Sequence, residues 1–264
     1  MKETITFDCS NYIAILQFEN LNDTNRIEVY LKSIPTNSIV IMGEYVLDSF
    51  FHTSWCTKPP ESIRNKHKLD FLMDINAKYH HTIVVPDIQY KNKGYYKHIS
   101  IINKNKVHHY SQQRLIQYQH WNEAEFFSND TSRLIKLPFT FKTNELRYGV
   151  VFGFEAHFDE IWMELKRANI DVVLVPTAST FSSQARWEAL LTTHAFTNSC
   201  FVVRANRIGK IKANDGMEWD FYGHSFVSLG QDILDSLKEE EGMLCLDIDK
   251  QALDSLKQLW GFRE

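Results

Sequence analysis

Six short segments of this chain are apolar at nearly every position instead of at alternate ones. They are Tyr12 to Gln17 (YIAILQ), Ser38 to Met42 (SIVIM), Thr82 to Val85 (TIVV), Gly149 to Phe152 (GVVF), Asp171 to Val175 (DVVLV) and Phe201 to Arg204 (FVVR). A strand of this kind must be covered on both faces, which is the habit of sheets flanked by helices. The intervening segments carry helical spacing. Ile27, Tyr30, Leu31 and Ile34 form one stripe, and Leu69, Leu72 and Met73 form another in the segment opened by Pro59 and Pro60. Phe158, Ile161, Trp162 and Leu165 share one face; Trp187, Leu190, Leu191, His194 and Asn198 share the next. A last helix carries Leu253, Leu256 and Trp260. Asn103-Lys104-Asn105-Lys106 is a polar turn between two strand-like runs and predicts a hairpin. The class is therefore α/β. No Pro/Gly/Ser-rich linker divides the 264 residues and no short repeat is visible, so residues 1–264 read as one domain.

Charge excludes some functions. Lys and Arg total 29 against 33 for Asp and Glu, a formal net charge of -4, which gives no general attraction to nucleic acid or to an anionic membrane. Lys91, Lys93, Lys97, Lys104 and Lys106 do form a basic stretch among Tyr90, Tyr95 and Tyr96. On an edge hairpin such lysines block strand addition, and they are read that way here. The run Lys238 to Glu241 reads as a solvated turn. No apolar run is long enough to span a bilayer, and the first residues, MKETITFDCSNY, lack the apolar core of a secretory signal. Cys9, Cys56, Cys200 and Cys245 are widely separated and form no C-x-x-C pair, so reduced thiols and a cytoplasmic location are expected. His80-His81 and His108-His109 are adjacent pairs that would point to opposite faces of a strand, so no metal site is expected.

Four places carry candidate chemistry. Glu44 follows the SIVIM strand, and carboxylates at the C-terminal ends of such strands lie where α/β clefts open. Taken alone, it is an ordinary glutamate at a strand exit. Tyr110 to Leu115 (YSQQRL) follows the hairpin, and His120-Trp121-Asn122-Glu123 is a polar-aromatic cluster in a loop. Gly149 to Glu160 (GVVFGFEAHFDE) runs from strand through a tight turn at Gly153 into a helix, the local order that displays a nucleophile in many hydrolases.

Taken in order, these segments resemble the nitrilase (carbon-nitrogen hydrolase) superfamily. The resemblance runs from IAILQ through IVIMGE, Trp121-Asn122-Glu123, GVVFGFEAHFDE and VVLVPTA. It continues through Arg186-Trp187, His194-Ala195, Asn198 and Asn206-Arg207-Ile208-Gly209 to Phe221-Tyr222-Gly223 and Ser225. It implies the family's four-layer α-β-β-α sandwich and a homo-oligomer, most simply a homodimer, with no cofactor. It also implies a Glu–Lys–Cys triad, in which a thiolate attacks the amide or nitrile carbon, a glutamate moves protons and a lysine stabilises developing negative charge. Position by position, the glutamate is Glu44 and the supporting second glutamate is Glu123. The lysine position holds Gln112 and the nucleophile position holds Gly153. Arg114, two residues beyond Gln112, is a replacement cation if this stretch is a strand. Glu155 stands where the family has aspartate, and Gly43 where it favours proline.

Two of three triad side chains are thus absent. Loss of a hydrolytic nucleophile costs on the order of 10⁶ in kcat. Three readings follow. One is a non-catalytic homologue that binds a small amine or amide, or a protein, with Glu44, Glu123, Glu155, Trp121 and Arg114 about its pocket. The others are a working amidohydrolase with displaced chemistry, for example a water activated by Glu44, and a purely structural or regulatory subunit. Without a lysine between them, Glu44 and Glu123 predict an acidic pocket. Glycine at the nucleophile turn permits a left-handed backbone there.

Overall fold

The computed structural model describes residues 4–47, 66–131, 134–212 and 216–263. Cys56 and the Pro59-Pro60 pair lie outside these residues. In the first half the elements are β1 (Ile5–Thr6), β2 (Tyr12–Gln17), α1 (Thr24–Ser33), β3 (Ile39–Met42), α2 (Lys66–Tyr79), β4 (Thr82–Lys91), β5 (Gly94–Asn103), β6 (Lys106–Ser111), β7 (Gln117–Tyr118) and β8 (Trp121–Asn122). The second half holds β9 (Phe139–Lys142), β10 (Arg147–Val150), α3 (Asp159–Arg167), β11 (Val172–Thr177), α4 (Gln184–Thr197), β12 (Phe201–Asn206), β13 (Ile208–Lys212), β14 (Glu218–Tyr222), β15 (Phe226–Leu229), β16 (Asp232–Ser236), β17 (Gly242–Asp247) and α5 (Lys250–Trp260).

All six apolar runs lie on central strands or run directly into the loop after one. They assemble into two sheets, one ordered β17-β2-β3-β4-β5-β6 and the other β1-β9-β10-β11-β12-β15-β16. Pairing is parallel where a helix intervenes, as in β2–β3, β3–β4, β10–β11 and β11–β12, and antiparallel across the hairpins. The sheets face each other over one apolar layer that includes Ile15, Ile41, Ile99, Tyr148, Leu174 and Val203. Their outer faces are covered separately. Ile27 and Leu31 of α1 and Leu72 and Ile75 of α2 cover the first sheet; Ile161, Trp162 and Leu165 of α3 and Leu191 and Ala195 of α4 cover the second. This is the four-layer α-β-β-α sandwich. Each strand is apolar on both faces because one face meets the opposite sheet and the other meets helices.

The predicted hairpin forms with Asn103 opposite Lys106. Its strand β5 is not at an edge, because β4 and β6 flank it. Lys97, read from composition as an edge lysine, is only 2% exposed. Its side chain projects with the odd-numbered residues, Ile99 and Ile101, on the sandwich side of the sheet.

Candidate functional site

The cleft forms where strands of both sheets end side by side. Gly43 and Glu44 leave β3, Gly153 follows β10, Thr177 ends β11, and Asn206 ends β12. Their backbones are tied together: Glu44 N donates to Thr177 O at 3.0 Å, and Gly153 N donates to Pro176 O at 2.9 Å. Gly43 is required by this approach. A Cβ there would lie 2.6 Å from Arg207 N and 2.9 Å from Asn206 C, backbone atoms that cannot move aside. Glycine here, where the resemblance implies proline, therefore permits the close meeting of the two sheets.

Glu44 and Glu123 are both buried and come together, as expected, but they are not unbalanced. Lys97 Nζ lies 2.5 Å from Glu44 Oε2 and 2.5 Å from Glu123 Oε1. The ammonium is further boxed by the rings of Tyr45 and Phe152, at 4.7 and 5.1 Å from their centroids. Burial alone would discharge it, but the two carboxylates outweigh burial and hold its pKa above the ordinary lysine value. Burial lifts the Glu44 carboxyl above the usual carboxylate range, with Lys97 opposing the shift. The expectation that no lysine balances these carboxylates is thus overturned: the cation comes from the neighbouring strand.

Glu123 is fully saturated. Besides Lys97 it accepts from Tyr45 Oη at 2.8 Å, from Ile116 N at 3.1 Å and from Gln112 Nε2 at 3.2 Å. Gln112, where the resemblance implies a lysine, is buried and also donates to Arg114 O at 2.7 Å. Its backbone N–H donates to Lys97 O at 3.2 Å, so Gln112 and Lys97 sit across the hairpin from one another. Tyr45 has a left-handed backbone, φ 60°. A bulky side chain is uncommon there and is held by its surroundings, here by the Glu123 hydrogen bond and by Arg207, whose Nη1 donates to Tyr45 O at 3.0 Å.

Gly153 opens a single helical turn, Phe154–His157, with φ -53° and ψ -47°. This is ordinary right-handed backbone, so the glycine is not there to permit a left-handed turn. Space is the constraint instead. A Cβ at 153 would meet Thr177 Cγ2 at 2.6 Å. The Thr177 hydroxyl is turned toward Asn206 Oδ1 at 2.9 Å and Ala205 O at 3.2 Å, which leaves its methyl facing the glycine. The volume that the first side-chain atom of a nucleophile would occupy is taken by that methyl.

Glu155 lies behind the same turn. It accepts from Gln113 N at 2.5 Å, Tyr110 Oη at 2.8 Å and Phe152 N at 3.1 Å, and burial pushes its carboxyl up to about 7. It fastens the turn to the end of the hairpin. Arg114 does not enter the cleft: its Nη1 donates to Gln113 O at 3.2 Å and its guanidinium lies 5.9 Å from the Phe158 ring centroid. No described cysteine borders the cleft. Burial pushes the Cys9 thiol up to about 11 and that of Cys200 to about 12, while Cys245 lies on β17.

Above this floor is a cavity of about 840 Å³. Of the sequence-predicted site residues, Glu44, Gly153 and Trp121 line it; Glu123, Gln112 and Glu155 are packed behind. The walls that sequence reasoning missed include the rings of Tyr118, Phe154, Phe181 and Trp187. Thr177, Ser179, Thr180 and Ser183 also line the cavity. These come from three segments far apart in sequence, around Tyr118, around Phe154 and from Thr177 to Trp187, and no local pattern marks them. Among the described residues, no group of His, Cys, Asp and Glu is arranged to hold a metal ion, and no helix is long and apolar enough to cross a membrane.

The solved structures most like this one include a carbon-nitrogen hydrolase from Helicobacter pylori G27, with TM-score 0.80, 18% identity and coverage of 95% of this chain and 93% of the other. An amidase from Nesterenkonia sp. matches with TM-score 0.72 at 16% identity, over 98% and 100% of the two chains. In sequence the chain is similar to the N-carbamoylputrescine amidase of Solanum tuberosum, 28% identical over 133 residues, which is 46% of this chain and 44% of the relative. It is also similar to the deaminated glutathione amidase of Rattus norvegicus, 26% identical over 119 residues, 44% and 35% of the two. The matched stretches span less than half the length of these relatives. The carbon-nitrogen hydrolase family model, by contrast, matches residues 45–258, most of the chain. With that match and the four-layer sandwich together, the chain belongs to the carbon-nitrogen hydrolase family.

Proposed function

We propose that this chain is a non-catalytic member of its family, which uses the cleft above Glu44 to bind a small molecule. One observation carries the reading: the nucleophile position is a glycine whose side-chain space is filled by the Thr177 methyl, 2.6 Å from where a Cβ would stand. No acyl or thioimidate intermediate can form on a glycine. The large cavity favours binding over a purely structural role, because a cleft kept only for folding would be filled by its own side chains.

The Glu44–Lys97–Glu123 cluster supports the same reading. Lys97 is shared between two carboxylates and walled by rings, so it holds the floor together and does not present its charge to a reacting oxygen. Pairing into a homodimer belongs to this proposal and is tested by sedimentation at micromolar concentration, where a 31.0 kDa species would refute it. The functional test is a panel of ω-amides, carbamoyl amines and nitriles. Turnover no faster than buffer is expected. Turnover abolished by Glu44→Ala would overturn the proposal in favour of an amidohydrolase with a reorganised site, such as a water activated by Glu44.

A further inference from the structure

The chemistry of the cavity narrows what it would hold, on the footing that it is a binding site as proposed above. Among the described residues, one carboxylate reaches the cavity. Glu44 lines it, while its partners Lys97 and Glu123 lie behind. Two carboxylates share a single ammonium, so the ionised floor carries one excess negative charge. The buried cations Arg207 and Arg204 do not line the cavity. Arg207 donates to Tyr45 O and to Ile208 O and has Glu19 as its charge partner, while Arg204 donates to His224 O and stacks on Trp187 at 5.2 Å. Arg186, which does line the cavity, is exposed at the rim, where its charge is solvated.

The walls are aromatic, and one of them is held under strain. Phe181 is 50% exposed and has a left-handed backbone, φ 59°. Neither state is favourable for a phenylalanine. Both are enforced: Ser183 N donates to Phe181 O at 2.9 Å, and Thr180 Oγ1 pins the preceding residue to Asp220 O at 2.7 Å. The ring then sits edge-on to His120 at 5.8 Å and tilted against Trp219 at 5.2 Å. Strain held in this way at a cavity points to a ring kept in place for a ligand. A second signal is the Ser179 hydroxyl. Its oxygen is buried beside the cavity without a hydrogen-bond partner, closed off from the open space in this rotamer, while the residue's backbone is fixed by Ser179 N donating to Asn206 Oδ1 at 2.8 Å. Buried polar atoms are rarely left unpaired, so rotation about its Cα–Cβ bond toward a bound molecule would give it the partner it lacks.

We propose that the cavity takes an aromatic primary amine. Its ammonium donates to the Glu44 carboxylate, the Ser179 hydroxyl supplies a second polar contact, and its ring lies among Phe154, Phe181 and Trp187. Aromatic walls favour both the flat ring and its cationic end. No bond is made or broken.

The test is calorimetric titration of the whole chain at neutral pH with phenethylamine, butylamine, phenylacetate and propionamide. Phenethylamine is expected to bind at least tenfold more tightly than the other three. Phe181→Ala, at the solvent-exposed ring, should weaken phenethylamine at least threefold while the variant remains folded by circular dichroism. Glu44→Gln, checked for folding by circular dichroism, should weaken it at least tenfold. Phenylacetate binding as tightly as phenethylamine, an unaffected Phe181→Ala, or silence of all four probes would overturn the proposal. Binding of propionamide alone, without hydrolysis, would overturn the aromatic-amine assignment and leave the binding reading standing. Hydrolysis of propionamide would defeat that reading itself.

Discussion

The two sides of the cleft floor are built in opposite ways. On the carboxylate side Glu44 and Glu123 share Lys97, which stands across the hairpin from Gln112, where the family resemblance implies a lysine. On the other side Gly153 stands where the resemblance implies a nucleophile, and the Thr177 methyl fills the space of a side chain there. The difference is physical. A buried carboxylate stripped of its cation is strongly destabilising, so a lost lysine at this place must be offset by another cation. A lost thiol leaves only a small apolar gap, which a neighbouring methyl can fill. Stability therefore preserves one side of the site whether or not the protein catalyses, and retained acidic residues are poor evidence of activity.

The comparison breaks most sharply at Lys97. Lys97→Met leaves Glu44 and Glu123 buried against each other and should cost about 3–5 kcal/mol. Urea unfolding followed by tryptophan fluorescence measures it. The exchange Lys97→Gln with Gln112→Lys should recover most of the loss, because the two positions face each other and Gln112 Oε1 is now buried without a partner. A single variant within 1 kcal/mol of the parent would mean that Lys97 does not hold the floor together.

This substitution also shows what the sequence could and could not disclose. The turn at Asn103 to Lys106 was recognisable, and six residues out from it along each arm stand Lys97 and Gln112. The pairing of Lys97 with position 112 was therefore legible from hairpin register. Lys97 was obscured by its neighbours, Lys91, Lys93 and Lys104, which gave the stretch the look of an exposed basic edge. Glu44, Glu123 and Gly153 were placed from motif order, since each follows a strand or loop with local character. The clash between position 153 and Thr177 was not legible, because it depends on the spacing of β10 and β11 to a fraction of an ångström. The left-handed backbone of Phe181 was equally hidden, since it is imposed by contacts with β14 and not by a turn residue.

A pH experiment sharpens the comparison next, at the back of the nucleophile turn. Glu155 has a folded pKa of about 7 against an ordinary value of 4.5. For a carboxyl raised by folding, the native state keeps its proton while the unfolded chain has already lost it. The group's contribution to stability should therefore fall as pH rises from about 4.5 to about 7, by about 3 kcal/mol, and level off above that. Glu155→Gln should flatten this part of the stability profile relative to the parent. Parallel profiles for parent and variant would show that Glu155 is ionised in the fold.

A smaller effect tests the filled space directly. Gly153→Ala places a Cβ against Thr177 Cγ2 and should cost about 1–3 kcal/mol through overpacking. Thr177→Ser removes that methyl and keeps the hydroxyl that faces Asn206. The double variant should regain most of the stability. Full stability of Gly153→Ala alone would show that the turn has room for a side chain.

The smallest expected effect is on catalysis itself. Gly153→Cys with Gln112→Lys and Thr177→Ser restores the three side-chain types and makes room for the thiol. It should still give no more than a trace of amide hydrolysis, because catalytic groups must be held within about 0.5 Å of productive geometry. The carboxylate that would serve as base, Glu44, is already paired with Lys97. A second ammonium entering at position 112 would compete with Lys97 and Tyr45 for Glu123, which has its acceptor sites occupied. The expected readout is at most a single acylation burst with a reactive amide, seen by mass spectrometry as one adduct per chain. Sustained turnover would mean that the charged side of the floor had kept catalytic geometry as well as charge, and that the methyl at Thr177 was the principal block to activity.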